Sequence, residues 1–486
     1  MKRREILILG FCSLFSLSVY LLVSKLVYRI GFPLDDAWIH QTYARNLVSN
    51  GEWTFLLGES SGGSTGPLWG FLLSGVYYLK LGPYIGTYLL GFLSLWSVSL
   101  LGAYLFGFLA PQQIDKRVWV GVLLAFEWHL VWAAGSGMET LLFTGLVLGN
   151  FLLLSTPKTN WLLTGLLIGL SVWVRPGGIT LLGPAVLVLL LKEGALKEKL
   201  RQFGGLTLGF ILCFGPNLAF NHVMAGDWWP NTFYAKQAEY AILRQIPLWK
   251  RLLDLSLLPL VGAGVIVLPG FLLFLWELVQ ECKWKLLFFA LWGMGYIFLY
   301  AWRLPVTYQH GRYLIPVVPV LIVLGMAGLW GWVRLEAESL LKRLLSRVWV
   351  LSLLVVGVIF WAWGARAYAN DVAVIESEMV HMAKWVNENT PEEALIAAHD
   401  IGALGYFGAR EIVDLAGLVS PDVILFIRDE GALAEYLDSQ GADFLLTLQG
   451  WYPKLEDLSC LEYQSAGRHS PRLGGENMAI YRWNPP

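Results

Sequence analysis

Two neighbouring carboxylates, Asp35 and Asp36, stand where the chain leaves its first apolar stretch. A carboxylate at a membrane boundary is costly unless it faces water or a polar cavity, so such a residue is a functional candidate by default. The competing reading is a helix cap: Asp36 precedes AWIHQTYARNL, and its oxygen can accept a backbone N–H there. A cap accounts for one acid of the pair and leaves the other. The loop around them, residues 31–69, continues into ESSGGSTG (59–66), whose glycines allow close backbone approach to a sugar or phosphate. An ordinary polar loop has the same composition. Trp38, Ile39, Tyr43, Ala44 and Leu47 fall largely on one helical face, which lays the segment along a membrane surface.

Further polar groups recur between apolar runs. Glu59 lies in the Gly/Ser run, Glu139 in GMET (137–140) and Arg175 in RPGG (175–178). Tyr234 and Lys236 lie in GDWWPNTFYAKQ (226–237), and His310 and Arg312 in RLPVTYQHGRY (303–313). A single basic residue in such a place usually snorkels to lipid headgroups. Taken jointly the set says more, because cations that hold a phosphate and a carboxylate that takes a hydroxyl proton are what glycosyl transfer from a lipid phosphate requires.

The elements that must position these groups are membrane helices. The chain is 56% hydrophobic and 15% charged, against about 25% charged for a soluble chain. Its net charge of −1 points to no nucleic-acid partner. Twenty-four Trp and 20 Tyr suit membrane interfaces. The four cysteines show no CxxC spacing, so neither a disulfide nor a zinc site is expected. The start, with its basic residues, long apolar run and no small-residue cleavage site, reads as an uncleaved signal anchor.

Apolar runs fall at 5–28, 84–110, 118–134, 140–155, 161–174, 178–192, 203–222, 255–279, 285–302, 313–333 and 347–365. Basic residues cluster at Met1–Glu5, Lys116-Arg117, Lys158, 192–201, Lys283/Lys285 and 334–347, alternating with the loops that carry the candidate residues. The positive-inside rule makes the basic set cytoplasmic. Residues 67–80 are apolar but short, and a crossing there would invert every later loop; they read as an interfacial or re-entrant helix. The expectation is a polytopic α-helical membrane module over 1–368, with about eleven spanning helices and a first external loop at 29–83. Residues 369–486 are polar and mixed. HMAKWVNENTP and EGALAEYLDSQG read as helices, and EALIAAHD, REIVDLAGL and ADFLLTL carry strand-like cores, giving a C-terminal extracytoplasmic α/β domain.

DDAWIHQTYARNL, STGPLW, GMET, RPGG, PNTFYAK, GRYLIPVVP and the tail NENTPEEALIAAHDIGALGYF…REIVDLAGL, in that order, resemble the GT-C superfamily of integral-membrane glycosyltransferases. The similar members are bacterial relatives of protein mannosyltransferases, aminoarabinose transferases and mycobacterial arabinofuranosyltransferases. The resemblance implies a plasma (inner) membrane enzyme. It would take sugar from a polyprenyl-phosphate carrier on the outer side and pass it, with inversion, to a glycan, lipid or protein acceptor. It makes Asp35 or Asp36 the base. It gives the carrier phosphate to Arg312 and His310, then Lys236 and Arg175, with Tyr234, Glu139 and Glu59 as further binding residues. In some relatives a basic residue precedes the Pro-Leu-aromatic turn and contacts the phosphate; here that position is Gly66. Some relatives use a divalent metal held by several carboxylates. Here only Asp35, Asp36, Glu59 and Glu139 are obvious, in no diagnostic spacing, so no cofactor is certain and a divalent metal stays open.

Two other classes compete: a transporter or flippase, and a non-catalytic binder of lipid-linked glycans. Few charges lie deep in the apolar runs and no repeat is visible, which counts against transport. The retained acid pair counts against a degenerate binder. Asp400, in HDIGALGY, reads as a cap of the turn that follows it.

Overall fold

The computed structural model describes residues 1–333 and 339–483; the 334–338 part of the last basic cluster and the final three residues lie outside them. The chain is a multi-pass membrane protein. Among the described residues, six helices are long and apolar enough to cross a membrane: Arg3–Val27, Tyr84–Leu109, Leu196–Ala225, Ala263–Gln280, Trp284–Arg303 and the one that starts at Leu340. Pro111–Ala125 and Trp128–Gly135 form a pair bent by 55°, which would be a seventh span if taken as one. Four shorter apolar helices, Thr140–Ser155, Trp161–Val174, Pro176–Leu191 and Val317–Trp332, complete the bundle. Val317–Trp332 is its centre, with every residue from Val317 to Leu329 buried. A helix apolar on all sides has nowhere to put a polar face, so it is covered all round.

Two expectations change. The run 255–279 is not one helix: Leu248–Leu257 ends near its start, and Ala263–Gln280 begins after Gly262, whose φ is 93°. The segment expected along a membrane surface is the helix Asp36–Asn50, and it is buried on all sides from Ala37 to Ala44, its polar His40, Gln41 and Thr42 included. The reason is the second domain. Trp38 packs against Tyr406 and Phe407 at ring distances of 4.8 and 4.7 Å, and Arg45 donates to the carbonyls of Tyr406 and Gly405. The helix is therefore the layer between bundle and C-terminal domain. The helix Pro67–Tyr78 has 12 residues, short of the ~20 needed to span. Its Trp69 donates to the Gly137 carbonyl at 2.8 Å, tying STGPLW to GMET.

The C-terminal domain is a five-stranded mixed sheet. The strands are β1 (Leu395–Ala398), β2 (Glu411–Asp414), β3 (Phe444–Leu448), β4 (Ser459–Gln464) and β5 (Met478–Trp483), in the order β2-β1-β3-β5-β4. β1 runs parallel to β2 and β3, while β5 is antiparallel to β3 and β4. The helices Met379–Asn389 and Glu430–Gln440 lie where the sequence puts them, the second ended by Gly441 at φ 70°. β4 and β5 are additions to the sequence reading.

The acid pair joins the two domains. One acid does cap a helix, but it is Asp35, and the helix is Gly402–Phe407 in the C-terminal domain. Its two oxygens accept from the Gly402 N–H at 2.6 Å and the Ala403 N–H at 2.8 Å. A Cβ at Gly402 would lie 2.1 Å from the Asp35 carbonyl oxygen, so only glycine permits the approach. Asp35→Ala strands two buried N–H groups at a cost of about 1–3 kcal/mol each. Its expected outcome is a lower unfolding temperature in nanodiscs and faster amide exchange across 402–407. Exchange equal to wild type would remove the capping role.

Candidate functional site

Asp36, one residue from the cap, points the other way. The helix beginning at Asp36 places its carboxylate on a cavity of about 350 Å³ in the bundle, on the side that carries the sheet domain. Four cations line this cavity, Arg175, Lys236, Arg303 and Arg312, against two carboxylates, Asp36 and Glu139. The arithmetic leaves two positive charges in excess. The rest of the wall is largely apolar and aromatic, including Ile179, Trp229, Phe233, Leu299 and Leu304.

Two networks hold the charges. In the first, Asp36 Oδ2 accepts from Arg312 at 2.5 Å and from Lys236 at 3.3 Å. The Tyr313 hydroxyl accepts from the same two cations at 3.1 and 3.3 Å. Burial alone would raise the Asp36 carboxyl, but the Lys236 and Arg312 charges outweigh it and hold the group far below the usual carboxylate range. The same cations bring the Tyr313 phenol below its usual value although it is buried. In the second network, Arg175 donates to Glu139 at 2.6 Å and to the Thr140 hydroxyl at 2.8 Å, and His40 stands 3.4 Å from the other Glu139 oxygen. Burial pushes Glu139 up, and Arg175 and His40 more than reverse it.

The cations are not exhausted by these pairs. Arg312 and Arg175 are each 5% exposed. Nε and Nη1 of Arg312 and Nη1 of Arg175 are buried and have no hydrogen-bond partner among the described residues. An unpartnered buried guanidinium N–H costs free energy. These three therefore mark where an anion fits. Arg303 completes the rim, lying over the Phe233 ring at 3.9 Å and donating to Gln237 at 2.8 Å.

Of the residues singled out in the sequence, the cavity gathers Asp36, Glu139, Arg175, Lys236 and Arg312. It does not gather the other four. Asp35 is spent on the sheet domain; burial and the Asp400 charge push its carboxyl up, against the two N–H bonds that favour its ionised form. His310 bonds Asp371 at 2.8 Å and sits edge-on to Trp128 and Trp132. It is the middle of three residues, Gln309 to Gly311, with φ between 53° and 63°, a turn that delivers Arg312 to the cavity. Tyr234 packs its ring edge-on to Phe233, outside the cavity wall. Glu59 is exposed in the loop closed by the Thr54–Ser60 bridge.

The Gly/Ser run is no backbone cradle. Ser61 to Ser64 are buried, Gly63 N–H donates to the Tyr43 hydroxyl, and the Gly62 carbonyl accepts from the Asn231 N–H. Only Thr65 of this run reaches the cavity. At Gly66 an added Cβ would lie 2.6 Å from the Val174 carbonyl oxygen, so a basic side chain has no room there. Arg303, Tyr300 and Tyr313 complete the wall and were not singled out in the sequence. The signal was there in the GRY triplet for Tyr313, and in the last residue of an apolar helix for Arg303.

A divalent metal does not fit these donors. Both cavity carboxylates are already neutralised by cations, and among the described residues no group of three His, Cys, Asp or Glu side chains could hold an ion. The four cysteines are free.

Comparison with known proteins bears on the fold that carries this cavity. Residues 366–481 match a sequence family described as a domain of unknown function, DUF8728. No curated protein matches the chain. Solved structures do match. ArnT from Cupriavidus metallidurans, bound to undecaprenyl phosphate, superposes with a TM-score of 0.59 at 14% identity, over 97% of each chain. The oligosaccharyltransferase of Archaeoglobus fulgidus gives 0.60 at 12% identity, over 90% of this chain and 69% of that one. The mycobacterial arabinofuranosyltransferase AftD gives 0.51 at 14% identity, over all of this chain and 40% of that one. At these identities the likeness is one of fold: the chain has the GT-C fold, with a small C-terminal sheet domain.

One contact gives a pH dependence. His399, before Asp400, lies 3.5 Å from Glu239 and its Nδ1 is 2.7 Å from the Tyr452 hydroxyl. Burial works against its charge, but Glu239 and Asp400 raise it from 6.5 to about 9. A raised folded value means that this contact stabilises fully below about 6.5 and is lost as the pH rises through about 9. Amide exchange in Asn231–Glu239 is expected to quicken between those values and to stop responding in His399→Gln.

Proposed function

We propose that the chain is an inverting glycosyltransferase. It moves a sugar from a polyprenyl-phosphate carrier to a glycan, lipid or protein acceptor on the extracytoplasmic face of the plasma membrane, with the N-terminus in the cytoplasm. The observation that carries this reading is the buried excess of positive charge with three unpartnered guanidinium nitrogens, set against the carboxylate of Asp36. A phosphate is the anion that matches such a fork, and the apolar part of the wall suits the first units of a polyprenyl chain. ArnT with undecaprenyl phosphate and the Archaeoglobus enzyme AglB with dolichol-phosphate are carriers held on the same fold.

The reaction needs little else. The acceptor oxygen bonds to the anomeric carbon as the carbon–oxygen bond to the phosphate breaks, which inverts that centre. Polyprenyl phosphate leaves with the bonding pair, and the hydroxyl proton goes to Asp36. The leaving group is already a weak base, so the cations have only to stabilise the charge that grows on it. Arg312 and Lys236 do this while they also hold Asp36. Without donor, those two cations make Asp36 a very poor base. A bound phosphate competes for them, and its own charge raises the Asp36 carboxyl further. The base is thus switched on by the substrate that needs it. Tyr313, shared by both cations, and Glu139, which fixes Arg175, keep the fork in place.

The test uses purified protein in nanodiscs with a panel of polyprenyl-phosphate sugars, following free polyprenyl phosphate. Asp36→Asn is expected to lower turnover by about 10²–10⁴-fold, the range for a lost general base, while carrier binding persists. Arg312→Gln is expected to weaken carrier binding as well. Turnover by Asp36→Asn at the wild-type rate would refute the base assignment. Binding without release for every donor would favour the flippase or binder reading.

A further inference from the structure

A second recess lies one turn further along the helix that carries Lys236, at its last residue Glu239. It has a volume of about 270 Å³ and is lined by Glu239, His399, Arg428, Glu430, Trp451 and Tyr452, with Ile427 at its base. A neighbouring recess of about 390 Å³ shares Glu239 and Arg428 with it and adds Arg251, Asp254, Tyr240 and Tyr308. Through these shared residues the two make one groove, at the C-terminal end of the Asn231–Glu239 helix and beside Arg428 of the sheet domain.

Its chemistry differs from that of the phosphate cavity. Its charged groups are three carboxylates, Glu239, Glu430 and Asp254, against two arginines and His399, which is charged at neutral pH. The balance is even, so nothing here calls for an anion. Trp451 is half exposed, its edge fixed against the His399 ring at 5.3 Å and 84°. An anchored, half-open indole is a platform for the C–H face of a sugar ring. Carboxylates accept from hydroxyls, and an exposed arginine donates to them. Aromatic platform and balanced charge together describe a site for a neutral, polyhydroxylated ligand.

The groove also has the right neighbour. Lys236 and Glu239 are three positions apart on one helix, hence on the same face one turn apart. Lys236 opens on the phosphate cavity and touches Asp36, while Glu239 opens on the groove. Burial pushes up the carboxyl of Asp400, next to His399, and the Asp36 and Glu239 charges add to this against that of His399. One helical turn therefore separates the groove from the Asp36 carboxylate.

We propose that this groove is a saccharide subsite, in which Trp451 stacks a sugar ring of the acceptor and Glu239 and Arg428 hold its hydroxyls. The proposal rests on the glycosyl-transfer reading, and it narrows the acceptor from glycan, lipid or protein to a carbohydrate.

The probes are maltose, lactose and diacetylchitobiose, titrated against the full chain in nanodiscs by saturation-transfer NMR, with undecaprenyl phosphate titrated separately. At least one disaccharide is expected to bind saturably. Trp451→Ala, at an exposed side chain, is expected to weaken that binding by about tenfold, the size of one lost aromatic contact, and to leave undecaprenyl phosphate binding unchanged. Arg312→Gln should do the reverse. Failure of all three sugars to bind wild type, or equal binding by Trp451→Ala, would overturn the subsite. Failure of wild type to bind undecaprenyl phosphate would instead overturn the transfer reading, and it would show in the other titration.

Discussion

The arrangement depends on two adjacent side chains that face opposite ways. Asp35 is held by two backbone N–H groups of the sheet domain, and Asp36 by Arg312 and Lys236 from two other parts of the chain. Both constraints act on the first residues of one helix. Fixing that helix start at once positions the sheet domain and orients the cavity carboxylate. The surrounding layer follows: Trp38 under Tyr406 and Phe407, Tyr43 under the Ser61–Gly63 turn, and His40 on Glu139.

Charge pairing explains why the site is assembled from so many segments. A buried ion is tolerated when its partners satisfy it. Asp36 is held by two cations and Glu139 by one and by the His40 ring, and these come from the 175, 236 and 312 regions and from the first loop. The remaining guanidinium N–H groups have no partner among the described residues. The protein thus retains buried donors whose cost is relieved by an acceptor placed against them. Part of the binding energy is in this sense stored in the fold beforehand, as fixed donors whose orientation costs nothing when the ligand arrives.

Much of this was readable in order along the chain, and the gaps have physical causes. The apolar runs gave the helices because membrane burial has a strong compositional signal. Five of the nine candidate residues meet at one cavity because polar groups at helix ends on one side of a bundle have few places to go. His310 misled because it stands two residues from Arg312 and shares its loop; only the left-handed turn reveals that the two face different ways. The Asp36–Asn50 helix looked amphipathic and is buried on all sides from Ala37 to Ala44, since its polar face meets a second domain that periodicity cannot register. Gly66 departs from the pattern of a basic residue at that turn. The Val174 carbonyl, which leaves no room for a side chain there, explains the departure.

The Asp35 cap has a consequence for how such a chain can change. A domain attached by a flexible tether can be exchanged or lost with little effect on its neighbour. Here the sheet domain contributes the N–H groups that finish the first loop of the membrane module, through a contact that admits only glycine at position 402. The two parts are therefore a single heritable unit. A different C-terminal domain could be grafted onto this bundle only if it brought its own helix end to the same carboxylate, at the same closeness.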